Sequence, residues 1–159
     1  IRRALLERFE LLQSWSRWIK ATQAADVETA LLLNPWLIDF EDEMFTFRSF
    51  FWWGHNLFFC WFLSGPRLDE YKKRLLDYHA SILHQFVFLS TAATPWEWSL
   101  ETPNAMFLDQ INIAHLRGIL SERTFLKLGC SIPLKSLETK DAILHEGLRV
   151  FDLLKPIVE

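Results

Sequence analysis

The chain has 159 residues, 50% of them apolar and 23% charged, with a formal net charge of −3. That length and apolar content suit one compact domain and exclude a disordered chain. The slightly acidic balance excludes the strongly basic face of a nucleic-acid-binding domain. Aromatics are unusually frequent, 14 Phe and 8 Trp against 2 Tyr, whereas 5 Gly and 6 Pro are few for an all-β chain. The resulting expectation is all-α: residues 1–159 as a single compact bundle of about six helices around a very apolar, aromatic-rich central helix.

The chain opens Ile1-Arg2-Arg3 without Met, which suggests a fragment lacking its N-terminus, and no signal peptide is legible. Leu5, Phe9, Leu12, Ser16 and Ile19 recur at helical spacing and predict a helix over about 2–21. Arg2, Arg3, Arg8, Arg17 and Lys20 give it a basic outer face, and an acidic stretch from Asp26 to Glu43 follows. Asp26 caps a short helix ending at Asn34-Pro35.

The aromatics concentrate between Trp36 and Phe62, and Phe47, Phe50, Phe51, Gly54, Phe58 and Trp61 share one helical face. These residues predict the central helix over about 41–63, wrapped by its neighbours and closed by Ser64-Gly65-Pro66. The charge-free run Ser49–Gly65 is near the lower limit for a membrane span, but its Phe/Trp content, Gly54, His55 and Asn56 favour a buried helix. Tyr71, Leu75, Tyr78, Ile82, Phe86 and Leu89 predict the next helix, whose first half is heavily charged.

Ser90–Asn104 is the one long break, and loops of that length inside compact domains are often functional. Of its two tryptophans, Trp96 and Trp98, one is expected to anchor the loop and the other to be exposed. Thr102-Pro103 reads as cap and first turn of a helix carrying Phe107, Ile111, Ala114 and Gly118. A short helix through Lys127 closed by Gly129, or else a brief strand over Thr124–Leu128, comes next. Thr139 caps a last helix stopped by Pro156.

Catalytic signatures are missing: the chain has no Gly-X-Ser-X-Gly, no Gly-rich phosphate loop and no His-Glu-X-X-His. Cys60 and Cys130 sit in apolar surroundings and read as small buried hydrophobes. His79 and His84 are five apart and diverge on a helix by roughly 140°. Asp77 and His84 are seven apart and share a face, imitating the acid–His spacing of heme-oxygenase-like di-iron bundles, but the later His/acid/His cluster those need is not found. An alternative reading is therefore a metal-dependent or ligand-binding bundle using His55, Asp77 and His84. A hydrogen-bonded core histidine is the simpler role for His55.

Phe125-Leu-Lys-Leu-Gly-Cys-Ser-Ile-Pro-Leu134, followed by a helix over about 142–156, resembles the end of the SctK/YscK/OrgA family. The upstream order (an apolar helix, a charged helix, then a loop with Pro95-Trp96) is similar too. The resemblance spans about residues 50–156 and rests on spacing; this chain is shorter and less rich in Leu and Arg. It implies a cytoplasmic helical adaptor of the type III secretion sorting platform, bridging the inner-membrane ring and the pod protein, without catalysis. The combined expectation is a non-enzymatic cytoplasmic adaptor that binds other proteins of a multi-subunit assembly. Trp96, Trp98, Arg8 and Arg17 are its contact residues. It is expected to need no cofactor, metal or nucleic acid and to have no integral membrane span, any peripheral membrane association running through a partner.

Overall fold

A computed structural model describes residues 44–52, 56–133 and 139–159. The all-α expectation is overturned: the described residues form a five-stranded antiparallel sheet with three α-helices and two 3-10 turns. In chain order these are β1 (Phe45–Trp52), β2 (Asn56–Leu63), α1 (Leu68–Tyr78), a 3-10 turn (His79–Ser81), β3 (Phe88–Ser90) and β4 (Ala105–Phe107). A second 3-10 turn (Leu108–Gln110), α2 (Ile113–Ser121), β5 (Leu126–Pro133) and α3 (Lys140–Val158) complete it. The sheet order is β1-β2-β5-β3-β4, every neighbouring pair antiparallel.

The stretch expected as a central helix, and weighed as a membrane span, is instead the pair β1 and β2, in register from Phe45 opposite Leu63 to Trp52 opposite Asn56. The physical reason is two-sided burial. Leu57, Phe59, Trp61 and Leu63 face the layer built by α1, α2 and α3, while Phe58, Cys60 and Phe62 face the other way into a second apolar cluster. With both faces covered, β2 reads as one continuous apolar run and its period of two is erased. Phe and Trp also favour strands over helices. Ser64 closes the open end of the pair: its Oγ accepts from Met44 N at 2.8 Å, and its own N donates to Met44 O at 2.8 Å.

Further corrections follow from the same sheet. The charged helix stops at Tyr78 rather than near Leu89, and Phe88–Ser90 leave it to join β5. Thr102-Pro103 does not start a helix but is a cis peptide in the loop before β4. The strand reading of Thr124–Leu128 holds over the helical one, since Leu126 begins β5. Thr139 does cap the last helix, its Oγ1 accepting from Ala142 N at 3.1 Å, yet Pro156 lies inside α3 rather than ending it. None of the described helices is long and apolar enough to cross a membrane.

Candidate functional site: the aromatic–cation face beneath the β3–β4 loop

The two strand faces differ in what covers them. Helices cover the first. Over the second, residues 91–104, which connect β3 to β4, bring Trp98 and Leu100 onto Phe50, Phe58, Phe62 and Phe88. Antiparallel register then sets a pair of cations on this same face. Arg48 of β1 stands opposite Cys60, and Lys127 of β5 stands opposite Phe62. Both are buried, Lys127 with only 1% of its surface exposed.

A buried ammonium is costly unless its protons find acceptors. Lys127 Nζ donates to Pro95 O at 3.1 Å and to Glu97 O, and it lies 3.7 Å from the centre of the Trp98 ring. The Phe62 ring is 5.3 Å away. These contacts tie the middle of the loop to the sheet. Its base is tied by Arg123, which donates to Thr91 O at 2.9 Å and to Ala92 O. Within the loop, Glu97 accepts from Ser99 N at 2.8 Å and Ser99 Oγ from Glu101 N at 3.2 Å, so the backbone between the anchors is ordered by its own side chains.

The two tryptophans divide the work. Trp98 stacks on Phe50 with ring centres 3.9 Å apart and 15° between planes, and meets Phe58 and Phe62 at 5.6 and 5.7 Å. Trp96 is 48% exposed. Its inner side meets the Arg48 guanidinium at 5.3 Å, which in turn lies 4.8 Å from the Phe62 ring. Trp98 is thus the anchor, and Trp96 is presented to solvent on a backed, fastened loop.

Burial lowers the Lys127 ammonium from its ordinary value of 10.5 to about 8; the nearby Arg48 adds to the fall, while Cys60 and Glu97 oppose it. The unfolded chain therefore holds more protons than the folded one between about pH 8 and 10.5, and stability rises with pH through that window. Lys127→Met lacks this linkage. Between pH 7.5 and 10 the urea-unfolding free energy of the wild type is expected to gain roughly 2 kcal/mol on that of the variant. A difference that stays constant with pH contradicts the burial of the ammonium.

The other expected site residues fare differently. Arg8, Arg17 and His55 lie outside the described residues. Asp77 is in the last turn of α1, whereas His84 lies beyond the 3-10 turn in a left-handed conformation with φ 65°, so no helix sets them on one face. Both are exposed. Among the described residues, no group of three or more His, Cys, Asp or Glu is placed to hold a metal ion. His79, not singled out in the sequence for this, is a buried histidine with its Nε2 3.1 Å from Leu108 O. Both cysteines are buried, and burial pushes the Cys130 thiol up to about 11, the reverse of an activated nucleophile.

Arg48, Lys127 and Arg123 were missed by the sequence reading. Two of them carried a signal: Arg48 is the only Lys or Arg between Trp36 and Leu63, and Lys127 the only charge between Phe125 and Pro133. A lone cation inside an apolar run must be either satisfied or functional. The decapeptide Phe125–Leu134 that carries the family resemblance contains β5, and the apolar helix in that resemblance is the β1–β2 pair. A scan against models of protein families, and searches of curated proteins and of solved structures, find no match.

Proposed function

We propose that the protein is a non-enzymatic cytoplasmic binding module whose β3–β4 loop presents Trp96 to another protein of a multi-subunit assembly. The supporting observation is the contrast within one loop: Trp96 is 48% exposed while the chain on both sides of it is fastened by Lys127, Arg123 and Trp98. Exposing a large aromatic is unfavourable for an isolated fold, and ordering its loop beforehand removes the entropic cost that a partner would otherwise meet. Trp and Arg are the residue types most enriched where interface energy concentrates, and here Trp96 stands directly on Arg48.

The test is a photo-cross-linking amino acid at position 96, with one at the exposed Ile113 on α2 as control, in cells that make the full chain. The expected result is a discrete cross-linked polypeptide from position 96 and not from 113. Trp96→Ala should weaken that partner's binding about 30-fold, in line with about 2 kcal/mol for an anchoring tryptophan. Equal cross-linking from both positions, or none from either, overturns the proposal.

A further inference from the structure

On the helical side of the sheet, away from the β3–β4 loop, the cover stops short of β1. Leu57, Phe59, Trp61 and Leu63 of β2 are each at most 5% exposed beneath the helices. On the same face of β1, Phe45 is 55% exposed and Phe47 only half-buried. Phe45 lies on Trp61 and Tyr71, with ring centres 5.3 and 6.0 Å apart. Phe47 meets Trp61 at 5.4 Å and Phe151 of α3 at 5.3 Å, and Phe151 is half-buried as well. The rings form a continuous apolar margin where the helix layer ends.

Two further observations mark this margin as one that needs a cover. Among the described residues β1 is an edge strand, a position that native folds shield with a helix or a loop. Beneath Phe45 and Phe47, Trp61 is buried, yet its Nε1–H meets no acceptor among the described residues. Buried donors are almost always paired, which leaves that acceptor to be supplied from outside them.

The occupant follows from where the chain leads. The stretch of sequence before the described residues ends at residue 43, two positions from Phe45. Within it, the helix predicted over about 2–21 carries Leu5, Phe9, Leu12 and Ile19 on one stripe, so it has an apolar face of its own to bury. Such a helix is about 30 Å long and β1 about 25 Å, so the two match in length. Residues 22–43 span up to about 70 Å when extended, enough to reach every position along β1. A segment tethered in this way is present at an effective concentration on the order of millimolar, ahead of any separate partner.

We propose that the helix over residues 2–21 packs its apolar stripe against Phe45, Phe47 and Phe151 and so extends the helix layer over β1. The test uses the purified full chain with a photo-cross-linking phenylalanine analogue at position 45, irradiated at low and at high protein concentration and then digested. The expected product is a cross-link within one chain from position 45 to peptides of residues 1–21, in a yield independent of concentration. Phe9→Asp together with Leu12→Asp should lower that yield about 10-fold, as the loss of two anchoring side chains implies. The same pair should speed amide exchange across Phe45–Trp52 and leave Leu126–Pro133 unchanged, which separates loss of the cover from loss of the fold. A cross-link between two chains, products confined to residues outside 1–21, no cross-link, or a yield that the paired substitutions leave unchanged each overturns the proposal.

Discussion

Gly129→Ala is expected to unfold the protein or to cost about 3 kcal/mol or more, at the upper end of what overpacking does. Gly129 sits within β5, opposite Cys60 of β2 on one side and Phe88 of β3 on the other. A methyl group added there would run into the Phe59 carbonyl oxygen and would lie 2.5 Å from Cys60 Cβ and 2.6 Å from Cys60 Cα. These are largely main-chain atoms, so no rotamer change relieves the clash. The strands must part, and β2–β5 is the pair around which both apolar clusters are built. Gly118 is the internal control. It lies within α2 with nothing within 4 Å of an added Cβ, and Gly118→Ala should stabilise by up to about 1 kcal/mol through helix propensity. Urea midpoints of the two variants should fall on opposite sides of the wild type. A Gly129→Ala protein with the wild-type midpoint would contradict the strand register.

Trp98→Ala is the second large effect, roughly 3 kcal/mol. Truncating a large buried aromatic typically costs 3–5 kcal/mol, and the lower figure suits a ring that is only partly covered. Part of the loss is the stack on Phe50 and the edge contact with Phe58. The rest is electrostatic. With Trp98 gone, the Lys127 ammonium loses the aromatic face 3.7 Å from it. Its two carbonyl acceptors, Pro95 O and Glu97 O, belong to the same loop and are freed when that loop detaches. The expected signature is therefore a lower urea midpoint together with faster amide exchange across residues 91–104. Loss of stability without faster loop exchange would show that Trp98 packs without anchoring.

The parts of this fold that could be read in the sequence are those governed by local chemistry. Ser64-Gly65-Pro66 ends an apolar element because Gly65 takes φ 90° there, a conformation in which glycine avoids the cost of a Cβ. Thr139 caps α3, and the long loop falls between Ser90 and Ala105, as its Pro, Thr and Ser content suggested. That one of Trp96 and Trp98 anchors the loop and the other is exposed was expected, but their spacing did not say which, since residues two apart in an extended chain share a face and both rings do meet Phe62. What could not be read was non-local. Phe58 and Phe59 are both buried, one on each face of β2, and nothing in an unbroken apolar run tells a two-sided strand from a wrapped helix. Leu89 continues the helical spacing of Tyr71, Leu75 and Tyr78 by coincidence, while Phe86 in that same series is solvent-exposed. Lys127 was legible only as an oddity, since its acceptors come from residues 30 and 32 positions away.

The central claim is that one loop residue fastens the β3–β4 loop to the sheet while its near neighbour is displayed. The most direct test compares the urea-unfolding free energies of Trp96→Ala and Trp98→Ala under identical conditions. Trp96→Ala should cost about 1 kcal/mol or less, as its exposure and its two peripheral contacts, the Arg48 guanidinium at 5.3 Å and the Phe62 ring at 6.3 Å, imply, and Trp98→Ala roughly 3 kcal/mol. Equal costs, or a larger cost at Trp96, would contradict the division between anchor and presented residue on which the binding-module reading depends.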